Sequence, residues 1–255
     1  MNVLVCVKRV PMVGARIVLS PDAREVDVRQ LGFTMSPHEE CAVEEAVRIV
    51  EQRGGTASVM TLGPGEASEQ LRDAASIGAT HLVHLVTDGR EWDAVATAEA
   101  IVNAVRALEE ERGSYDLILF GNEAADTGDY QVGIRVAQAL GRPSIGGIKH
   151  VALGEGTLEA RREFRGGDEV YDIPLPCVIA VKEGINLPRY PSLPGRMRAK
   201  KMAIEEIPVE WRDGSLRTER LRIPVEPRER AEILGNGVEG VPALVALLEQ
   251  WGILS

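Results

Sequence analysis

Cysteine, basic charge and long apolar runs are all scarce in this 255-residue chain, and each shortage closes off a class of protein. Its three cysteines, Cys6, Cys41 and Cys177, stand far apart with no C-x-x-C pair, so they read as reduced core thiols rather than a disulfide framework or metal site. The four histidines, His38, His81, His84 and His150, form no H-E-x-x-H or similar group, which argues against a bound metal. Twenty-nine basic residues against 39 acidic ones leave a formal charge of −10, the wrong sign for a nucleic-acid partner. No apolar run approaches the roughly 20 residues of a membrane helix, so no direct membrane insertion is expected. No basic n-region, cleavage site or transit segment precedes the opening run Asn2-Val3-Leu4-Val5-Cys6-Val7, and the expected setting is the cytoplasm. The loop from Gly121 to Asp129 matches neither G-x-G-x-x-G nor the Walker pattern.

What the chain has is alternation. Its 44% hydrophobic content can fill one large core, or one core and an appendage. After the first strand and a polar excursion, Ser36, Pro37 and Glu39 make a capping box that opens a helix running to about Gln52 and stopping at Gly54-Gly55. Strand 57–62, a helix through Leu71 and Ile77, strand 81–86, a long helix 92–112 and strand 117–120 follow in turn. Four strand-then-helix units predict a parallel α/β sheet with right-handed crossovers. In such a sheet a ligand sits beyond the carboxyl ends of the strands, after Val7, Leu62, Val86 and Phe120.

The most informative of these ends is Tyr115 to Leu140. Leu117-Ile118-Leu119-Phe120 reads as a strand buried on both faces, and the loop from Gly121 to Asp129 feeds a helix with Val132, Val136, Ala139 and Leu140 on one side. Gly128 and Gly133 let backbone N–H groups approach an anion at the positive end of that helix, although the same residues also suit an ordinary connection. With Gly63-Pro64-Gly65 they suggest an adenylate-sized site, not a dinucleotide site, because Lys8-Arg9-Val10-Pro11 carries no glycine.

Beyond Leu140, residues 144–148 suggest a further strand, 151–153 and 158–164 a hairpin, and 176–181 a buried strand. Nine of the fourteen prolines lie from Pro174 onward, and until Val241 no stretch has helical periodicity. The expected division is an α/β domain over 1–182 and an extended arm over 183–255 that lies on another chain, ending in a helix with Leu244, Leu247, Leu248 and Trp251 on one stripe.

These residues add up to a resemblance. Val5-Cys6-Val7-Lys8-Arg9-Val10, the helix from Ser36 to Ala46, Gly63-Pro64, Gly121-Asn122-Glu123-Ala124-Ala125-Asp126, Arg162-Glu163, Pro176 to Val181, and Arg189-Tyr190-Pro191-Ser192-Leu193-Pro194-Gly195 with Ala199-Lys200-Lys201 recur here in the order and spacing of one family. The chain resembles the β subunits of electron transfer flavoproteins over nearly its full length. The resemblance implies a Rossmann-like domain of the adenine nucleotide α-hydrolase-like type, no catalytic residues of its own, and a heterodimer with an α subunit that holds most of the FAD. It also implies a structural AMP among Cys6, Ser36, Leu62, Asp126, Thr127, Gly128, Asp129, Gln131 and Val132, with Val13 and His38 approaching the flavin. His38 stands where an aromatic is common, and Arg165 and Tyr171 depart from the pattern around Glu163, an acidic residue that would border the flavin domain.

By the same resemblance Tyr190 to Gly195 docks acyl-CoA dehydrogenases, with Leu193 as the apolar anchor and Lys200 and Lys201, beside Arg196 and Arg198, steering acidic partners. Electrons would then pass to a membrane quinone oxidoreductase. Three alternatives stand beside this one: a bifurcating relative with a second FAD in place of AMP, a universal-stress-type nucleotide sensor, and an ATP pyrophosphatase-like enzyme. The sensor would not need the proline-rich arm, and the Ser-Gly-Gly-x-Asp-Ser loop of the pyrophosphatases is absent.

Overall fold

The computed structural model describes every residue except Val13, Ala15, 213–215, 225–230 and Ser255. The chain forms two compact units, Met1–Glu219 and Arg220–Ser255.

The first unit opens with β1 (Asn2–Val7), the short pair β2 (Val10–Pro11) and β3 (Phe33–Thr34), and α1 (Pro37–Arg53). Next come β4 (Thr56–Gly63), α2 (Ser68–Ile77), β5 (His81–Val86), α3 (Ala94–Arg112), β6 (Leu117–Gly121) and α4 (Val132–Leu140). Then follow β7 (Ser144–Ile148), β8 (His150–Leu153), β9 (Thr157–Phe164), β10 (Gly167–Pro174), β11 (Cys177–Val181), α5 (Leu193–Lys201) and β12 (Glu205–Pro208). Seven strands pair in parallel in the order β12-β5-β4-β1-β6-β11-β7, while β10-β9-β8 form a separate antiparallel sheet.

The strand sequences explain why both faces of the large sheet are covered. Along β1, Val3, Val5 and Val7 face a core shared with α1 and α2, whereas Leu4 and Cys6 face one shared with α3 and α4. The same alternation divides Leu117 and Leu119 from Ile118 and Phe120 on β6. Chain direction then sets the position of the site. From β1 the chain crosses through α1 to β4 on one side, and from β6 it crosses through α4 to β7 on the other. Adjacent strands whose connections diverge leave a crevice at their carboxyl ends, here between the segments that follow β1 and β6.

Three local expectations fail. Residues 183–219 are not uniformly extended: Leu193–Lys201 is a helix, with Ser192 as N-cap accepting from Gly195 N at 3.1 Å. Leu193 is thus the first residue of a helix instead of part of an extended arm. Its periodicity is weak because only Gly195 and Ala199 are buried. Glu205–Pro208 likewise joins the sheet as its edge strand beside β5. In α4 the buried positions are Val136 and Ala137, with Val132 and Leu140 half-buried and Ala139 exposed.

In the second unit a short 3-10 turn, Gly237–Gly240, leads into α6 (Val241–Gln250). No residue of α6 is buried, and Leu244, Val245 and Trp251 are exposed. No helix among the described residues is long and apolar enough to cross a membrane.

Candidate nucleotide crevice and docking segment

The crevice is closed by contacts among residues from β1, α1 and the loop after β6. Ser36 ends the approach to α1, and the carboxylate of Glu39, one turn on, reaches back to accept from Ser36 N at 3.2 Å. Its other oxygen accepts from Lys8 N at 3.1 Å, so one side chain ties the start of α1 to the end of β1. Above it Lys8 Nζ lies 2.6 Å from Asp126 Oδ2, spanning the crevice from one lip to the other. Ser36 Oγ donates to Glu123 O at 3.2 Å, and His38 Nε2 lies 3.2 Å from Glu123 Oε1.

Glycine permits this closeness. A Cβ on Gly121 would stand 2.7 Å from Glu39 Cγ and 3.1 Å from Glu39 N, so the helix start could not seat against β6 with any larger residue there. Beyond Gly121 the loop is fixed by Asn122, whose N donates to Val181 O at 2.8 Å and whose Oδ1 accepts from Gly147 N at 2.7 Å. Gly128 takes a left-handed φ of 58° with open space around it, and Tyr130 has φ 57°. Gln131 is the N-cap of α4 but contributes no side-chain cap, since its Oε1 accepts from Arg135 instead. The first N–H groups of α4 therefore keep their capacity to meet an anion.

Burial shapes the chemistry of the floor. Glu39 is almost wholly enclosed, and that burial pushes its carboxyl up to about 8 against the opposing pull of the Lys8 and Ser36 N–H groups. Cys6 is buried too, and burial followed by the nearby Glu39 raises its thiol far above the usual range. A thiol so placed supplies apolar surface, not a nucleophile.

Of the residues singled out from sequence, Ser36, His38 and Asp126 come together here, with Cys6 beneath them. Leu62 is half-buried near the carboxyl end of β4, the strand beside β1. Thr127 and Asp129 are exposed on the loop, and Gln131 and Val132 are half-buried at its end. Val13 lies outside the described residues. Lys8, Glu123 and Asn122 escaped notice as site residues, and Glu39 was legible only as a capping residue. Their signal was position, each within three residues of a strand's carboxyl end or a helix start. An open hollow of about 470 Å³ lies between α3 and α4 and another of about 460 Å³ along the exposed flank of α4, and of the site residues only Gln131 borders one.

A second feature runs along α1. The segment after β11 lies against this helix: Glu183 N donates to His38 Nδ1 at 2.7 Å, Asn186 Nδ2 donates to Cys41 O at 3.0 Å, and Arg189 pairs with Glu44 and Glu51. It ends in an exposed group, with Leu187 at 91%, Tyr190 at 97% and Leu193 at 72% exposure. Gly195 anchors the following helix, since a Cβ there would meet Ser76 O at 2.3 Å. Arg196, Arg198, Lys200 and Lys201 are exposed along α5. At the antiparallel sheet Glu163 pairs with Lys149 at 3.0 Å, and Arg162 pairs with Glu169, both bonded to the Tyr171 hydroxyl.

Residues 26–211 match the electron transfer flavoprotein domain family. The chain is 32% identical over 257 residues to the electron transfer flavoprotein subunit beta of Bacillus subtilis, covering 97% of each. It is 32% identical over 245 residues to the mitochondrial subunit beta of Oryza sativa subsp. japonica, covering 94% of this chain and 95% of the relative. Against the subunit beta of Mycobacterium bovis it is 33% identical over 220 residues, covering 82% of this chain and 81% of the relative. With a parallel nucleotide-type sheet, a lysine-bearing crevice at its switch point and this breadth of similarity, the chain belongs to the electron transfer flavoprotein family, in its β-subunit branch.

Proposed function

We propose that this chain is the β subunit of a heterodimeric electron transfer flavoprotein in the cytoplasm, with a structural AMP in the crevice between β1 and β6 and the FAD held mainly by an α subunit. The observation that carries the reading is the Lys8–Asp126 contact across the crevice, beside an uncapped helix start and a left-handed Gly128. These features suit a phosphate: Lys8 supplies a cation, the first N–H groups of α4 supply donors, and Gly128 leaves room for close backbone approach. Cys6 and Leu62 offer apolar surface for a base, and Ser36 holds α1 to the loop.

A flavin, when bound, supplies the redox chemistry, and this chain's residues bind, orient and dock. In this reading the segment Tyr190 to Gly195 receives electrons' source proteins, flavoprotein dehydrogenases of the acyl-CoA type in fatty acid oxidation, and a membrane quinone oxidoreductase takes the electrons on. The chain turns over no substrate itself. The exposed face of α6 suits contact with the α subunit.

The test is to purify the chain with its native partners and identify the nucleotides released on denaturation. One FAD and one AMP with a second subunit is the expected result. Two FAD without AMP would replace the AMP assignment by the bifurcating reading. A lone chain with ATP or AMP and no flavin would overturn the carrier reading in favour of a nucleotide sensor.

A further inference from the structure

We propose that Arg189 is a positioning residue for partner docking: clamped by Glu44 and Glu51 of α1, it holds Leu187, Tyr190 and Leu193 in a preformed arrangement that fits a partner with an apolar pocket and an acidic rim. The inference rests on the reading of Tyr190 to Gly195 as the docking segment and adds what shapes it.

The clamp uses the whole guanidinium fork. Arg189 Nε donates to Glu44 Oε2 at 2.9 Å and Nη2 to Glu44 Oε1 at 3.0 Å. Toward the other carboxylate, Nη1 donates to Glu51 Oε1 at 2.7 Å and Nη2 to Glu51 Oε2 at 2.9 Å. The backbone N–H of Arg189 adds a bond to Glu44 Oε2 at 3.1 Å, so main chain and side chain are fixed together. Glu44 and Glu51 lie seven residues apart, two turns along one helix, and both present carboxylates to the same fork. The Glu44 side chain is only 5% exposed, which makes this pairing less screened than a surface ion pair.

Such a clamp has no evident purpose for the core. Its neighbour Tyr190 and the flanking Leu187 and Leu193 point almost wholly into solvent, and none contributes to either hydrophobic core. What the clamp secures is the path of an exposed apolar segment. A partner that docks on a segment already ordered avoids the entropic penalty of ordering it, which raises affinity without any new contact. Beside it the exposed Arg196, Arg198, Lys200 and Lys201 give the surround one sign, matching an acidic rim.

The test uses the heterodimer with its bound flavin, reduced by a purified acyl-CoA dehydrogenase that reduces the wild type. Arg189→Lys keeps the charge but loses the fork, and Glu51→Gln opens half the clamp while leaving Glu44 paired. Both should raise KM for the dehydrogenase, by about tenfold for Arg189→Lys, with kcat and flavin content retained and a melting temperature that, though lowered, stays above the assay temperature. Amide hydrogen exchange over residues 187–192 should rise in both. An unchanged KM with faster exchange would overturn the proposal, because order in the segment would then be irrelevant to docking. Unchanged exchange would equally overturn it, because the clamp would not be ordering the segment. Leu193→Ala run in parallel separates the two readings. If it raises KM and the clamp variants do not, only the clamp fails; if none does, the docking reading itself fails.

Discussion

His38 accepts a hydrogen bond from the backbone N–H of Glu183 at its Nδ1, 2.7 Å away. In the neutral ring that acceptor role puts the hydrogen on Nε2, which faces Glu123 Oε1 at 3.2 Å. One imidazole therefore joins the loop after β6 to the segment that leads to Arg189. His38→Ala removes both bonds, and a loss of about 1–2 kcal/mol in unfolding free energy is expected. Amide exchange at Glu183 should accelerate at the same time. Unaltered exchange there would mean that the ring does not anchor the segment.

Glu39 gives a pH prediction with a definite sign. Its folded pKa, about 8, lies above the ordinary 4.5 because the carboxyl is buried. Between those two values the native state keeps a proton that the unfolded chain has released. The stability this contributes is full below about pH 4.5 and is lost as pH rises through 8, with a slope of at most about 1.4 kcal/mol per pH unit. Glu39→Gln, a neutral side chain of the same shape, should remove that slope. Thermal unfolding of both proteins from pH 5 to 9 checks it, the expected result being a difference in stability that moves in the variant's favour as pH rises.

Gly121→Ala probes the packing of α1 on β6. The added methyl would sit 2.7 Å from Glu39 Cγ, and backbone at Glu39 N is nearly as close, so the helix start must shift. Overpacking of this kind costs about 1–3 kcal/mol. A lower melting temperature is expected, together with weaker retention of the nucleotide proposed for the crevice, since Ser36 and Glu39 move with the helix.

Gly128→Val tests the proposal that this loop holds a phosphate. There is open space beside Gly128, so no clash arises, but a β-branched residue is strained at φ 58°. The loop would rearrange, and nucleotide released on denaturation should fall well below one equivalent. Full retention would move the phosphate away from this loop.

The parts of the fold that rest on local chemistry were legible in the sequence. Ser36, Pro37 and Glu39 announce α1, and the doubly buried runs Asn2–Val7 and Leu117–Phe120 announce a parallel sheet, from which the crevice follows. The helix Leu193–Lys201 was not legible because its apolar side chains Leu193 and Met197 face solvent, leaving only Gly195 and Ala199 to record a buried face. For β12, two glutamates and a closing proline hide a strand whose place depends on pairing with β5 far earlier in the chain. In the crevice, Ser36 and Asp126 are legible as site residues only through the family resemblance. Lys8 and Glu123 also stand close to the ends of β1 and β6, but what each does comes from a partner distant in sequence.

That late edge strand also bears on how the protein is made. On the ribosome β5 emerges with its outer edge bare and stays so until the chain has been synthesised through Pro208. Its run of His81 to Val86 is rich in apolar residues and offers a full row of unpaired backbone groups to any neighbouring nascent chain. A polypeptide cut after Lys182 would carry the crevice between β1 and β6 intact in sequence yet keep that edge open permanently, so its characteristic failure is aggregation in place of a clean, small, folded fragment.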